Sequence, residues 1–440
     1  MPVRGLRLLL AASAIAATLG AAPAPAAPPR DTSLEGRAIL PFDPPEPSPC
    51  PPPSAAFPRQ PLGGYSALLE GPGRGSGHDG DEDEDGRSDR GRGRRGGGPE
   101  TFYAMPDNGY GSKANSCQFV LRTDVVRVTY ERARSGPQDG RVEVLRSIRL
   151  RDPDRKVPFL IVTEGTRERL LTGSDFDPES MRIDRRGDFW FGDEFGPFLL
   201  HTDRTGKVLE APIETPGVRA PENQYPGPPP NLRSSSGFEG MAISPDRRFL
   251  YPSLERALNE EPDKTRHPIY QFDLKRGRYT GRQWIYRADP PVPPENEHVI
   301  GDMTALDPHR LLVIERDFLQ GAAARFEKVF LVDLRRTAPD GTLRKREVVD
   351  MLNIRDPFLI SLPGRPGDFG LGDPFKFPYV TTESVLPVGG KRLAIVNDNN
   401  FGSVGGRHPN LPDYTDFIEI EVPALSAARG RGGEREEDDD

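Results

Sequence analysis

The sequence predicts an all-β fold, a β-propeller of six four-stranded blades, with five to seven compatible with the spacing. Three observations predict it. Apolar residues alternate with period two over short runs bounded by Gly, Pro, Asn and Asp, which favours strands over helices. Such runs come in pairs, and the first half of each carries a small or acidic pair followed by alternating apolar residues. Glu179, Glu239 and Asp302 mark three successive copies, 60 and 63 residues apart. That period suits blades of roughly 40–50 residues carrying long loops.

In chain order, the first pair is Gly63–Leu69 with Phe102–Gly109, and the second is Pro178–Ile183 with Phe189–Glu194. Phe238–Ile243 pairs with Phe249–Glu255, Gly301–Leu306 with Leu311–Arg316, and Thr382–Pro387 with Leu393–Asn399. The turns inside the pairs carry turn chemistry, as in Asp184–Gly187, Ser244–Asp246 and Gly389–Gly390. Phe198–Asp203, Ile269–Leu274 and Val329–Leu334 read as outer strands. Val125–Tyr130, Val142–Leu150 and the segment 343–360 are expected to supply a further blade.

The ends and one insertion differ in character. Arg4 and Arg7 precede an apolar run, Leu8–Leu19, and then Ala-x-Ala sites, so residues 1–26 read as an export signal and the protein as secreted. The run is too short to cross a ~30 Å hydrocarbon core, and no other stretch could span a membrane. Residues 27–56 are Pro-rich and expected to be an extended leader, followed by the propeller at 57–423. Residues 71–99 are expected to be a disordered acidic, Gly-rich loop within it, and 424–440 a charged tail. Asp81–Gly86 lacks the spaced ligands of a calcium loop. Two cysteines in an exported chain, Cys50 and Cys117, favour one disulfide tying the leader to the first blade.

The net charge of −8, with Arg interleaved among acids, excludes a nucleic-acid binder of the usual basic kind. No Gly-x-Ser-x-Gly elbow or phosphate-cradling Gly-rich loop is present. Of the six histidines, His78 falls in the acidic block, Arg407-His408 lacks a histidine-phosphatase context, and His201 and His298 read as strand-end or surface residues.

The acids carry the chemistry. First strands of propeller blades line the central channel. Glu179, Glu239, Asp302 and Glu383 hold the same expected place and would converge on the axis. Crowded carboxylates repel by a few kcal/mol per pair, which a hard divalent ion relieves, most simply Ca²⁺ with oxygen ligands. Asn108, Glu194 and Asn397–Asn399, at the ends of second strands, could add oxygens. The candidate ligands are therefore Glu179, Glu239, Asp302, Glu383, Asn108 and Asp398, and the candidate catalytic acids Glu179, Glu239, Asp193 and Glu194. The competing reading makes these acids turn-formers or partners of Arg182, Arg256 and Arg316.

Three stretches, Ser174–Met181, Asp188–Leu200 and Gly237–Ser244, resemble the family described as esterase-like activity of phytase. Pro61–Ser66, Asp107–Gly111 and Val396–Phe401 fit its beginning and end, so the resemblance covers roughly residues 57 to 423. It implies an exported propeller-type domain that hydrolyses phosphoesters or esters, and the acidic block departs from the family's compact first blade. The expected function is a secreted metal-dependent hydrolase of a small phosphorylated or ester substrate, acting as a monomer. Arg182 or Lys376 is a candidate to hold an anionic group. The alternative is a non-catalytic secreted propeller whose loops 214–236 and 290–298 bind a partner protein or cell-surface polymer.

Overall fold

The computed structural model describes residues 31–46, 50, 57–72, 100–132, 139–291 and 296–425. The expected signal, most of the acidic loop and nearly all of the tail lie outside the described residues. Among those described, the structure is built from twenty strands and one short 3₁₀ turn. Among the described residues, no helix is long and apolar enough to cross a membrane.

The strands fall into five units of four. Unit one is β2 (Tyr65–Glu70), β3 (Glu100–Pro106), β4 (Arg122–Thr129) and β5 (Arg141–Arg149). Unit two is β6 (Pro178–Ile183), β7 (Phe189–Asp193), β8 (Phe198–Thr202) and β9 (Ile213–Glu214). Unit three is β10 (Phe238–Ile243), β11 (Phe249–Leu254), β12 (Arg266–Asp273) and β13 (Arg278–Arg287). Unit four is β14 (Val299–Ala305), β15 (Arg310–Arg316), β16 (Glu327–Thr337) and β17 (Leu343–Asp350). Unit five joins β18 (Thr382–Pro387), β19 (Arg392–Asn397) and β20 (Thr415–Glu421) to β1 (Ser33–Leu40) from the start of the chain. A parallel bridge, Ile39 to Arg141, and an antiparallel one, Arg37 to Glu131, link units five and one.

The expected sixth unit is thus not formed by the described residues. Val125–Tyr130 and Val142–Leu150 contribute β4 and β5 of unit one, and residues 343–350 supply the outer strand of unit four. Outer strands are half-solvated, as the alternating exposure of β5 attests, so they resemble free-standing hairpins in sequence.

The leader also needs correction. β1 lies inside the Pro-rich 27–56 segment, where Leu34, Ala38 and Leu40 alternate into the core. It pairs antiparallel with β20 along most of its length. Buried Arg37 clamps the two, with Nη2 2.8 Å from Asp416 Oδ2, an oxygen that Arg407 also reaches at 3.2 Å. Burial alone would raise Asp416, but Arg37 and Arg407 outweigh it and hold the carboxyl below its ordinary range. The Cys50–Cys117 disulfide, Cα to Cα 5.8 Å, ties the following segment to unit one, as expected.

Packing closes the ring. Each first strand lies against the next, β2 on β6, β6 on β10, β10 on β14, β14 on β18, and β18 back on β2. The core is divided into five clusters, one at each junction between units. Met105 and Phe119 of unit one meet Met181 and Phe191 of unit two. Trp190 and Leu199 then meet Phe238 and Phe272, and Tyr251 and Trp284 meet Met303 and Val313. Ile314 and Val329 meet Val385 and Ile395, and Val396 and Phe417 return to Phe102 and Val126 of unit one. Strands covered on both faces read as continuous apolar runs, as all-buried β7 does.

Candidate functional site

The first strand of every unit carries a bulge near its start. The register against the second strand slips between Tyr65 and Ala67, Pro178 and Ser180, Phe238 and Gly240, Ile300 and Met303, and Thr382 and Ser384. A bulge leaves one residue outside the ladder and re-aims its side chain. In four units that residue is Ser66, Glu179, Glu239 or Glu383. In β14 the slip spans two residues, and alignment of Met303 with Met181 and Met241 puts Gly301 in the glutamate's place. A second ring follows one residue after the pair that opens each bulge: Asp107, Glu194, Glu255, Arg316 and Asp398.

All members of these two rings except Ser66 and Gly301 line an axial cavity of about 140 Å³. Asp177, just before β6, adds a further acid, so the lining holds eight carboxylates and one guanidinium. Arg316 Nη2 donates to Glu239 Oε1 at 2.9 Å and stands 3.6 Å from both Glu255 and Glu383. Asn108 donates to Asp177 through its side chain at 2.6 Å and its backbone N–H at 3.2 Å. Carboxylate oxygens of Asp107, Asp177 and Glu179 lie within 4.8 Å of one another.

Burial is the leading cause that pushes these acids up, and their neighbours add to it. Asp107 rises to about 7 through burial and Asp177, and Asp177 also to about 7 through burial and Asp193. Glu383 reaches about 7 by burial although Arg316 opposes the shift. Glu179, Glu194, Glu239 and Asp398 are held well above the carboxylate range, first by burial and then by facing acids. Two unit charges 5 Å apart repel by about 3 kcal/mol at an effective dielectric of 20. One arginine does not neutralise eight acids, so the remainder must bind protons or cations. The donor set is entirely oxygen, which suits a hard divalent cation.

Of the sequence-predicted residues, Glu179, Glu239, Glu383, Glu194, Asn108 and Asp398 are brought together on this lining. Asp302 is not. It stands one residue beyond the bulge position, where its carboxylate accepts from Arg182 at 3.2 Å and the Val385 N–H at 3.0 Å. Asp193 is fully buried beside the site and accepts the N–H groups of Asp177 and Gly196, both at 2.7 Å. It fixes the loops that carry Asp177 and Glu194. Asn397 and Asn399 bond to the backbone around β20. Arg182 is committed to Asp302 and the Met303 carbonyl, and Lys376 lies over the Phe369 ring, so neither reaches the lining. His201 and His298 are buried rather than exposed, and neither lines the cavity.

Sequence reasoning left out Asp107, Asp177 and Glu255 as site residues and treated Arg316 only as a salt-bridge partner. In four units the second-ring residue directly follows the second strand, and in unit four Arg316 is that strand's last residue. A larger groove of about 480 Å³ lies elsewhere, lined by Arg146, Arg149, Arg151 and Arg204.

A closed ring of β units with an acidic, oxygen-lined axis defines the class as a β-propeller with an axial acidic site. The chain belongs to the phytase-like family described as esterase-like activity of phytase, whose model matches residues 94–401. An uncharacterized secreted protein of Arthroderma benhamiae is 29% identical over 30% of this chain. The match spans 28% of that relative's length. Among solved structures, a PQQ-bound aldose sugar dehydrogenase from Streptomyces coelicolor is 12% identical, covering 90% of this chain and all of that one at a TM-score of 0.35. A luciferin-regenerating enzyme is likewise 12% identical, covering 73% and 74% at 0.33. Likeness at that level carries nothing about chemistry.

Proposed function

We propose that this protein is a secreted hydrolase of phosphoester or ester bonds, working in the axial cavity with a hard divalent cation, calcium first. The observation that supports this most is the Asp107, Asp177 and Glu179 cluster in a cavity with one guanidinium. Secretion is supported by the disulfide and by the secreted fungal relative.

Asp107, Asp177 and Glu179 would hold the cation, which would supply Lewis acidity toward a phosphoryl or carbonyl oxygen and toward water. Asn108 holds Asp177 in place through two hydrogen bonds. Glu194 and Glu239, held well above the carboxylate range first by burial, are the candidates for acid or base. Arg316 presents its guanidinium to an anionic oxygen from the opposite side. A cavity of about 140 Å³ equals roughly five waters at ~30 Å³ each, room for one phosphoryl or acyl head.

The test is turnover of p-nitrophenyl phosphates, carboxylate esters and lactones, with calcium and with chelator. Hydrolysis should stop with chelator and fall by about 100-fold or more in Asp177→Asn and Glu239→Gln. A calcium-replete protein silent on every substrate would instead favour a binding module.

A further inference from the structure

We propose a second cation site, for a zinc-type transition metal, at the far end of unit two, formed by Asp184, Asp188 and His201. Asp184 and Asp188 flank the β6–β7 turn, at the opposite end of these strands from Glu179 and Asp193. His201 sits on β8 directly opposite Trp190, and their rings stack at 3.9 Å. A carboxylate oxygen from each aspartate and a His201 ring nitrogen all lie within 4.8 Å of one another.

The state of His201 is what points to a ligand. The residue is only 8% exposed, and its Nε2 is buried without a hydrogen-bond partner. Its other nitrogen, Nδ1, lies 2.7 Å from Glu210 Oε1. A carboxylate behind one ring nitrogen fixes the tautomer that leaves the other nitrogen's lone pair free, the usual support of a metal-bound histidine. Here that free nitrogen faces Asp188 Oδ2 at 3.9 Å. Two bonds of ~2.0–2.2 Å to one ion span such a gap.

Asp184 is held in place without being used up. Its Oδ1 accepts the backbone N–H groups of Arg186 at 2.7 Å and Asp188 at 3.1 Å, which locks the turn. Its Oδ2 meets only the Trp190 indole N–H, at a long 3.5 Å. One imidazole and two carboxylates favour Zn²⁺, Co²⁺ or Mn²⁺ over the calcium suited to the all-oxygen axis. The two sites therefore differ in metal preference and fail independently.

The experiment titrates Co²⁺ into tag-free full-length protein in millimolar Ca²⁺, which occupies oxygen-only sites. One equivalent should develop visible cobalt absorption and quench tryptophan emission, because Trp190 is in ring contact with His201. Zn²⁺ should reverse both signals, and Glu179→Gln should leave them unchanged. His201→Gln and Asp188→Asn should each weaken Co²⁺ binding about tenfold or more, and Glu210→Gln about tenfold. Asp188 lies on a turn, so its variant keeps the test readable should His201→Gln misfold. Absence of Co²⁺ binding in the wild type, or unchanged affinity in Asp188→Asn, would overturn the proposal and leave His201 as a histidine hydrogen-bonded to Glu210.

Discussion

Units three and four present the same pair of strands to the axis with opposite charge. Unit three contributes Glu239 from its bulge and Glu255 from just beyond its second strand. Unit four contributes Gly301 and Arg316 at the matching places. A Cβ at Gly301 would come within 2.5 Å of the Thr382 carbonyl oxygen and 3.5 Å of Arg316 Nε. The tight approaches are to the Thr382 carbonyl and to Ile314 at 3.0 Å, so the glycine lets the β14 bulge pack against β18 beside Arg316. The axis is thus polarised, with the metal-capable acids at units one and two and a fixed cation across from them.

The largest expected effect comes from removing that cation. Arg316→Met leaves Glu239 without its buried partner and takes the charge away from Glu255 and Glu383. Breaking a buried pair from one side typically costs about 3–5 kcal/mol. Urea melts in chelator should show a loss of that order, and calcium should restore more stability than it does in the wild type. Equal stability of variant and wild type in chelator would mean that unit four does not hold the acids together.

A smaller loss tests the other half of the exchange. Gly301→Ala forces a methyl group against the Thr382 carbonyl, and overpacking of this kind costs about 1–3 kcal/mol. If melts show no change, the glycine is not there for space.

The same comparison explains what could be read from the sequence. Glu179, Glu239 and Glu383 were legible because each precedes a small residue and an apolar core residue inside a strand, a pattern that repeats. Asp302 was misplaced because Gly301-Asp302 imitates the motif one residue out of step, and only the matched methionines Met181, Met241 and Met303 reveal the shift. Asp107, Glu255 and Asp398 follow the ends of their strands, where no periodicity marks a face, so only some were singled out. β1 was hidden for another reason. Its partner β20 lies at the far end of the chain, and its alternating Leu34, Ala38 and Leu40 are surrounded by proline.

Acidity offers a third way to sharpen the contrast. Asp107, Asp177 and Glu383 are raised from ordinary values of 3.8, 3.8 and 4.5 to about 7. Between about pH 4 and 7 these three groups bind more protons in the folded protein than in the unfolded chain, and the stability they contribute falls as pH rises through that window. In chelator the melting temperature should drop from pH 5 to pH 8 for this reason. Calcium binds the ionised form, so the shift it produces should be larger at pH 8 than at pH 5. Arg316→Met should steepen the chelator profile, since Arg316 opposes the rise of Glu239 and Glu383. A flat profile in both proteins would mean that the axial acids are already ionised and compensated without metal.

The smallest effect is expected within unit three itself. Glu255 differs from Glu239 in its company, because Arg256 Nε donates to its Oε2 at 2.9 Å while Arg316 stands 3.6 Å from its Oε1. Arg256 also reaches Glu297 at 3.0 Å, so it keeps a partner when Glu255 is neutralised. Glu255→Gln removes one repelling charge and strands no cation. Stability in chelator should change by less than about 1 kcal/mol, and turnover by only a few-fold. Glu239→Gln should behave differently, with turnover lost, because it takes away the carboxylate that Arg316 holds at 2.9 Å inside the cavity. Equal losses from the two variants would mean that the axis responds to total charge alone, and that the distinct places of the two rings carry no division of labour.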